Sequence, residues 1–538
     1  MSYYKDLRDY LEVLEKHDLL VRVKRQINKD TQLHPLVRLQ FRGLPEEQRK
    51  AFLFENVVDS KGRKYSIPVL VCALAASRNI YALGMQCKPE EIMEKWSQGQ
   101  LHPIEPKVVE SGPVHEEVHV GDTLLEHGGL DEFPIPVSTP GYDVAPFITA
   151  PYWVTKDPES GVLNVGTYRV QIKSPTRTGI MVASQDKHIA KHWNKCRKSG
   201  VPLQAAIVVG ASPNIGYTSV ARLPYELSEY ACAGGIAGEP VELIGCKTVD
   251  LKVPASAEIV IEGELSTEEV EPEAPFGEAL GYLGQREMMP YFTVKCITHR
   301  KNPIWHAFLS QFPPSESSKL RGTAWENRVY KYVRYDLNVP QIKAVAWHES
   351  TGSAGLVVLQ FESVEQSEVW RILEDLSTWL PTNVIHSTKL IVAVDEDINP
   401  WDADAINWAI AFRVQPHRDC RIKTYPAKSL MDYSLLPPGE ALKRDIRWER
   451  MPEASNLAIN ATRKWAYPPV SLPKKEYMEE AIKIWKQENL PELRLKEPWY
   501  GYNLGYWTDE FEEQAKLAVK GESHKTGEVL ATRRTKVD

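Results

Sequence analysis

Between about residues 113 and 322 the chain abandons the helix–strand alternation that flanks this stretch on both sides. Short β-rich runs recur there: Leu163 to Ile172, Gly179 to Ser184, Ala205 to Gly210, Ala257 to Glu262 and Phe292 to His299, separated by Pro and Gly clusters. Only Lys187 to Lys198 and Leu223 to Gly234 read as helices within it. Many strands with few helices predict a barrel-like or split sheet. Upstream, Leu7, Tyr10, Leu11 and Leu14 give Asp6 to His17 a helical period, and Leu19 to Val23, Phe52 to Val57 and Ile67 to Ala76 read as strands. Downstream, helices over Trp325 to Tyr335, Ser363 to Leu376 and Asp404 to Val414 alternate with strands over Ile342 to Glu349 and Lys389 to Val394. The expected fold is mixed α/β, with an N-terminal α/β domain over 1–112, a central split β-barrel over 113–322, a C-terminal α/β domain over 323–470 and a helical tail over 471–538. In that tail 473–490 form a charged amphipathic helix, and the last twenty or so residues are expected to fray.

Composition excludes several function classes. A net charge of −7 argues against a nucleic-acid binder. Seven scattered cysteines, with no CxxC pair, predict free thiols in a reducing compartment. The polar, charged start, Met1-Ser-Tyr-Tyr-Lys-Asp-Leu-Arg, leads to the expectation of no signal peptide, and runs such as Ala205 to Ala211 fall far short of the roughly 20 residues that span a bilayer. A cytoplasmic location is expected.

Two glycine-punctuated segments carry acid/base groups: Asn164-Val-Gly166-Thr167-Tyr168-Arg169, and Glu273-Ala-Pro275-Phe-Gly277-Glu278. Asn164 and Arg169 would face opposite ways in a regular strand, so a bulge at Gly166 is expected. Pro272, Pro275 and Gly277 place Glu273 and Glu278 on a rigid loop within Glu268 to Glu278. The apolar Ala-Leu-Gly-Tyr-Leu that follows puts Glu278 beside a buried region, which raises a carboxyl pKa and suits a general acid. Between the two segments, His188 and Glu229 with Asn164 could hold a divalent metal. His188 and His192 have the spacing of a zincin, but Ile189 stands where that chemistry needs a Glu. Ala and Gly residues after Glu229 would let backbone approach a ligand. Lys389 opens a buried strand and could neutralise a phosphate. Each residue taken alone also fits a surface or structural role, and no phosphate loop or GxGxxG occurs.

Together these segments resemble the UbiD family of reversible decarboxylases. Asn164-x-Gly-x-Tyr-Arg169, Glu273-x-Pro-Phe-Gly-Glu278-x-x-Gly-Tyr, Lys389-x-Ile-Val-x-Val-Asp-Glu-Asp-Ile and Trp408-Ala-Ile-Ala-Phe-Arg413-Val-Gln-Pro-x-Arg418-Asp419 occur in the family's order, followed by Asn460-Ala-Thr-Arg-Lys-Trp. Asn460 departs from the Asp expected in similar endings, and Arg222 brings more charge than some branches show. The resemblance implies prenylated FMN, bound in the central domain through a divalent metal, usually Mn²⁺, and a K⁺. It makes Asn164, His188 and Glu229 the divalent-metal ligands, and Ser219, Ala221 and Glu229 the K⁺ contacts. It adds Gly166, Thr167, Tyr168, Arg169, Lys187, Val220 and Lys389 around the cofactor, with Lys389 on its phosphate. Arg169, Glu273 and Glu278 become the catalytic network of a carboxy-lyase, Glu278 protonating the carbon that loses CO₂ from a covalent cofactor adduct. The implied substrate is an aromatic acid, benzenoid or carrying a CoA thioester. The implied partners are a flavin prenyltransferase as cofactor supplier and further copies of the chain, in dimers or a hexamer, with no nucleic acid and no membrane. The alternatives are a metal-dependent hydrolase using Asn164, His188 and Glu229, and a non-catalytic assembly subunit of the same fold.

Overall fold

The computed structural model describes residues 2–182, 184–273, 275–384, 388–428, 432–437, 440 and 451–537, so Ala183 and Ala274 of the segments above lie outside it. The first helix, Leu7–Lys16, starts where Asp6 accepts hydrogen bonds from the N–H of Arg8 and Asp9, and it buries Leu7, Tyr10, Leu11 and Leu14. The adjoining four-stranded sheet runs Leu20–Val23, Ala51–Phe54, Val69–Val71, Trp305–Ala307. Its last strand arrives from more than 200 residues downstream of its neighbour, pairing Trp305 with Val69 and Ala307 with Val71. One continuous hydrophobic core accordingly runs from Leu7 to Ala324.

The central sheet has the order Leu163–Thr167, Pro151–Lys156, Leu203–Val209, Ile259–Glu273, Glu287–His299, Arg177–Ile180, Val170–Ser174, Phe147–Ile148. Here the expected strand over Leu163 to Ile172 is corrected: it is two strands, broken at Tyr168 and Arg169. The two halves sit six inter-strand steps apart, on the order of 29 Å across a flat sheet. Three Cα–Cα steps of 3.8 Å reach only about 11 Å. The sheet must therefore roll until its ends meet, leaving an unpaired seam where Tyr168 and Arg169 cross. This is a split barrel, with no hydrogen-bonded closure among the described residues.

The C-terminal sheet runs Ile342–Trp347, Leu356–Phe361, Leu390–Asp395, Glu453–Asn460, Cys420–Pro426. Alternation splits its residues between two cores. Val357, Leu359, Ile391 and Ala393 face the helices Glu316–Lys331 and Gln366–Asn383, while Val358, Val392 and Val394 face the helix Ala403–Arg413. The tail carries the expected helix, Lys475–Gln487. The expectation of fraying at the end is corrected: Ser523–Ala531 is helical, and Arg533 pairs at 2.7 Å with Glu510 of the helix Asp509–Val519. No helix among the described residues is long and apolar enough to cross a membrane, and all seven cysteines are free thiols.

Candidate active site

A cavity of about 670 Å³ lies between the split barrel and the C-terminal sheet, within the size range of small-molecule sites. Its walls include Asn164 to Arg169, Lys187, His188, Ser219 to Leu223, Glu229, Glu278, Arg321 and Lys389. All of the site residues named from the sequence line it except Glu273, which lies behind Arg169.

The seam fixes Arg169. The Trp153 indole N–H donates to Tyr168 O at 2.8 Å, and Thr167 N–H donates to Ser219 O at 3.0 Å. The expected bulge at Gly166 is corrected: Gly166 pairs with Trp153 in regular register, and the alternation ends only because the strand stops at Thr167. Gly166 has a different reason. A Cβ there would collide with the ring of Tyr168, 2.7 Å from its hydroxyl oxygen, so glycine lets that ring fold back over the strand.

Arg169 binds Glu273 through both arms, Nε to Oε1 at 2.9 Å and Nη2 to Oε2 at 2.6 Å, and its Nη1 donates to Glu278 Oε1. Its guanidinium also sits over the Phe276 ring at 5.3 Å. The loop expected at Glu268 to Glu278 is corrected for its first half, because the strand Ile259–Glu273 continues to Glu273. Beyond Leu265 that strand has lost its neighbour Leu203–Val209 and pairs only with Glu287–His299, so the missing N–H of Pro272 falls on an open edge. Glu278 does sit in a tight loop: its N–H donates to Tyr282 O at 2.8 Å, Gly281 N–H returns to Glu278 O at 3.0 Å, and Gly281 takes φ +93°.

Burial pushes the Glu278 carboxyl up, against the pull of Arg169 and Arg321. Burial also raises Glu273, partly offset by Arg169. Burial opposes the Arg169 charge, but Glu278 and Glu273 more than offset it. A third carboxylate, Glu287, stands opposite Glu273 in strand register, and burial carries it up to about 7 against the pull of Arg169, helped by Glu273 and Glu278. One guanidinium thus stands among three carboxyls that burial shifts toward their protonated forms.

The metal candidates meet on the barrel side. His188 and Glu229 each open a helix, His188–Lys198 and Glu229–Ala237, and His188 Nδ1 stands 3.9 Å from Glu229 Oε1. The helix expected over Leu223 to Gly234 is thus shifted: Leu223 to Ser228, containing Pro224, precede it as irregular chain. Glu229 accepts Val165 N–H at 3.0 Å, yet burial lifts it to about 8. Burial, then nearby cations, lower His188 to about 3, which leaves it a neutral imidazole. Asn164 is 3% exposed and its Nδ2 finds no hydrogen-bond partner. A buried side-chain amide, whose carbonyl oxygen would be the ligand atom, a neutral imidazole and a buried carboxylate lining one cavity make a donor set that fits a divalent cation. His192 is excluded from it, because Thr155 Oγ1 and Tyr225 Oη occupy its two nitrogens at 3.0 and 3.1 Å.

Cations also line the cavity. Burial, then Arg222 and Arg321, bring Lys187 down to about 7. Arg222 lies 3.7 Å from Asp186. Lys389 is bound to Asp432 at 2.8 Å and Ser434 at 2.6 Å. Arg321 and Glu287 were not legible as site residues. The helix carrying Arg321 begins at Glu316, nine residues before Trp325, and its signal was the cap Ser315, which accepts from Ser318 N–H. Glu287 is revealed only by its pairing with Glu273.

Several motif residues turn out to hold the frame. Arg413 bridges Asp395 at 2.9 Å and Asp397 at 2.6 Å, and Arg418 chelates Asp419. Asn460 donates its amide to Gln366 Oε1 at 2.8 Å, a bond that an Asp carboxylate could not donate. The small residues after Glu229 serve packing: a Cβ on Gly235 would stand 2.6 Å from the carbonyl oxygens of Gly99 and His102. The close approach expected toward a ligand is therefore an approach of two helices.

Residues 11–99, 107–313 and 322–449 match, respectively, the N-terminal, Rift-related and C-terminal domains of 3-octaprenyl-4-hydroxybenzoate carboxy-lyase, UbiD. An uncharacterised protein of Archaeoglobus fulgidus is 32% identical over 86% of this chain and 92% of its own length. Among solved structures, the UbiD-class enzyme HmfF of Pelotomaculum thermopropionicum, in complex with prFMN, superposes with a TM-score of 0.73 at 28% identity, covering 87% of this chain and 97% of that one. Vanillic acid decarboxylase of Sedimentibacter hydroxybenzoicus, in its closed form, gives a TM-score of 0.74 at 25% identity over 90% and 100% of the two chains. With all three domains in order and the fold shared along nearly the whole length, this chain belongs to the UbiD family of carboxy-lyases.

Proposed function

We propose that this protein reversibly decarboxylates an aromatic acid at an sp² carbon, with prenylated FMN as its cofactor. The observation that carries the reading is the assembled Arg169–Glu273–Glu278 network opening onto a cavity beside the Asn164–His188–Glu229 donor set. A retired, non-catalytic subunit would have no need to keep all three network residues paired.

In this reading Asn164, His188 and Glu229 hold Mn²⁺ or another divalent ion, and Ser219, Ala221 and Glu229 hold K⁺. Gly166, Thr167, Tyr168, Arg169, Lys187, Val220 and Ala221 would hold the cofactor, with Lys389 neutralising its phosphate. When bound, the modified flavin accepts the electron pair that CO₂ departure releases. The protein supplies position and a proton. Arg169 orients the substrate carboxylate and holds Glu273 in a two-armed pair. Glu278, raised by burial, delivers its proton to the carbon that loses CO₂ and recovers one from solvent; the reverse reaction runs the same transfer backwards. The substrate is a benzenoid acid or an aryl carboxylate bearing a CoA thioester. A cytoplasmic location, a flavin prenyltransferase as supplier and a dimer-based homo-oligomer, up to a hexamer, belong to the same proposal, as does the division of the chain at 112, 322 and 470.

The test is the cofactor itself. Protein produced together with a flavin prenyltransferase is expected to be coloured and to release a flavin of prenylated mass on denaturation. A colourless protein that turns over a substrate without flavin would instead support a metal-dependent hydrolase on Asn164, His188 and Glu229.

A further inference from the structure

The long strand Glu287–His299 has the acid network at one end. At the other, roughly 40 Å away at about 3.3 Å per residue, a second group of potential ligands converges. The strand Glu117–Val120 pairs there, with His119 opposite Ile297 and Glu117 opposite His299. Ile297 and His299 are two apart and share a face, so His119 and His299 lie diagonally on that face, with ring centroids 5.0 Å apart. The chain then turns through Gly121, at φ +60°, and the helix Asp122–Glu126 returns His127 onto His119, their rings stacked at 3.8 Å. A second turn, through Gly128 and Gly129 at positive φ, brings in Glu132.

Glu132 Oε2 is 3.2 Å from His119 Nδ1, and Oε1 is 3.7 Å from His299 Nε2. Neither contact is a hydrogen bond: His119 Nδ1, Glu132 Oε2 and His299 Nε2 are all buried without a partner. His119 and His299 are only 5% and 6% exposed. Ligand atoms of His119, His127 and Glu132 lie within 4.8 Å of one another. The orientation of His299 is set from behind, because its Nδ1 lies 2.8 Å from Arg300 O. That bond places the proton on Nδ1 and leaves the Nε2 lone pair pointing into the cluster, as a metal-bound imidazole requires. The His299 Nε2 lone pair and the Glu132 carboxylate oxygens thus face one another without bonding, an arrangement that a shared cation would satisfy. Zinc–ligand bonds of 2.0–2.1 Å put tetrahedral neighbours about 3.3 Å apart, close to the spacing of His119 and Glu132.

We propose that His119, His127, Glu132 and His299 form a structural divalent-metal site of the zinc type, separate from the cavity. Three imidazoles and one carboxylate suit a borderline cation, and four protein ligands leave no open position for water, which makes the site structural. Turning the exposed His127 ring out of its stack is the adjustment that brings its nitrogen to the ion. The ion ties the 121–132 segment to the strand end, beside Phe133, whose ring packs on His299 at 5.9 Å and on Trp305 at 5.4 Å.

The test uses the full-length chain, stripped with a chelator and titrated with Co²⁺. The readout is the intense visible absorption of tetrahedral Co²⁺, with metal content measured by mass spectrometry. A His188→Ala background weakens the cavity donor set and is expected to keep a single tetrahedral Co²⁺ per chain, displaced by Zn²⁺. Adding His127→Ala, at an exposed position outside the core, is expected to abolish both the absorption and that ion, with an unchanged circular dichroism spectrum. His299→Gln serves as the second variant, with the same expected loss. A His188→Ala protein without tetrahedral Co²⁺, or His127→Ala and His299→Gln variants that keep it, overturns the proposal.

Discussion

Glu278 is held by one strong partner, Arg169, in a pocket that favours its protonated form. Replacing it by Gln keeps the shape and removes the transferable proton. Solvent deuterium should then stop entering the substrate's ring carbon and turnover should fall by about 10²–10⁴, while flavin content stays at the wild-type level; undiminished exchange would remove Glu278 from its role. Gly166→Ala tests the other side of the seam. Its Cβ must displace the Tyr168 ring, so bound flavin should drop several-fold, measured by absorbance, with little change in thermal midpoint. At this scale the sequence exposed residue types more fully than their company. Arg169, Glu273 and Glu278 could be named as a group, and they are bonded. Glu287 could not, because a carboxylate twelve residues beyond a proline-rich turn reveals nothing until the two strands are known to pair Glu273 with Glu287.

Among elements, the helix Glu229–Ala237 shows how packing places chemistry. Gly235 brings it against the end of the helix Ile92–Leu101, where a Cβ would meet the carbonyl oxygens of Gly99 and His102 at 2.6 Å, and Gly234 lies against Ile104 just beyond. Gly235→Val forces backbone apart and is expected to cost about 1–3 kcal/mol or more, as overpacked cores do. Because Glu229 opens the same helix, divalent-metal content should fall with stability, read by mass spectrometry and thermal melting on one sample. Elements with a clean period were legible: Leu7–Lys16 and Ala403–Arg413 fall within a residue or so of the expected bounds. The misplaced ones share a cause, since tertiary partners decided them. The break at Tyr168–Arg169 follows from barrel rolling, and the extension of a strand through Pro272 follows from an open edge. Neither leaves a local period to read.

At the scale of the whole molecule, two histidines among the described residues sit in the large N-terminal and central core without any hydrogen-bond partner: His34, beside Arg38, and His306 on the strand that pairs with Val69–Val71. Burial lowers both to about 3. Between that value and 6.5 the unfolded chain binds more protons than the folded one, so stability is present above pH 6.5 and is lost as pH falls. At pH 5 the loss is about 2 kcal/mol per histidine. A His34→Leu, His306→Leu protein should therefore show a flatter decline of thermal midpoint between pH 7 and pH 5 than the wild type. The class of the fold and its strand-rich centre were legible in the pattern of the chain, but the continuity of the core from Leu7 to Ala324 was not, because it depends on Trp305–Ala307 pairing with Val69–Val71. The two-residue crossing of the barrel seam has a consequence for how such a chain can vary. Tyr168 and Arg169 bridge strands from opposite regions of the sheet with no slack, so one inserted residue would let Asn164 and Arg169 drift out of step. An insertion scan should find lengthening tolerated at the exposed turn around Gly141 and refused between Thr167 and Val170, making the spacing of this crossing, as much as its side chains, an inherited constant of the site.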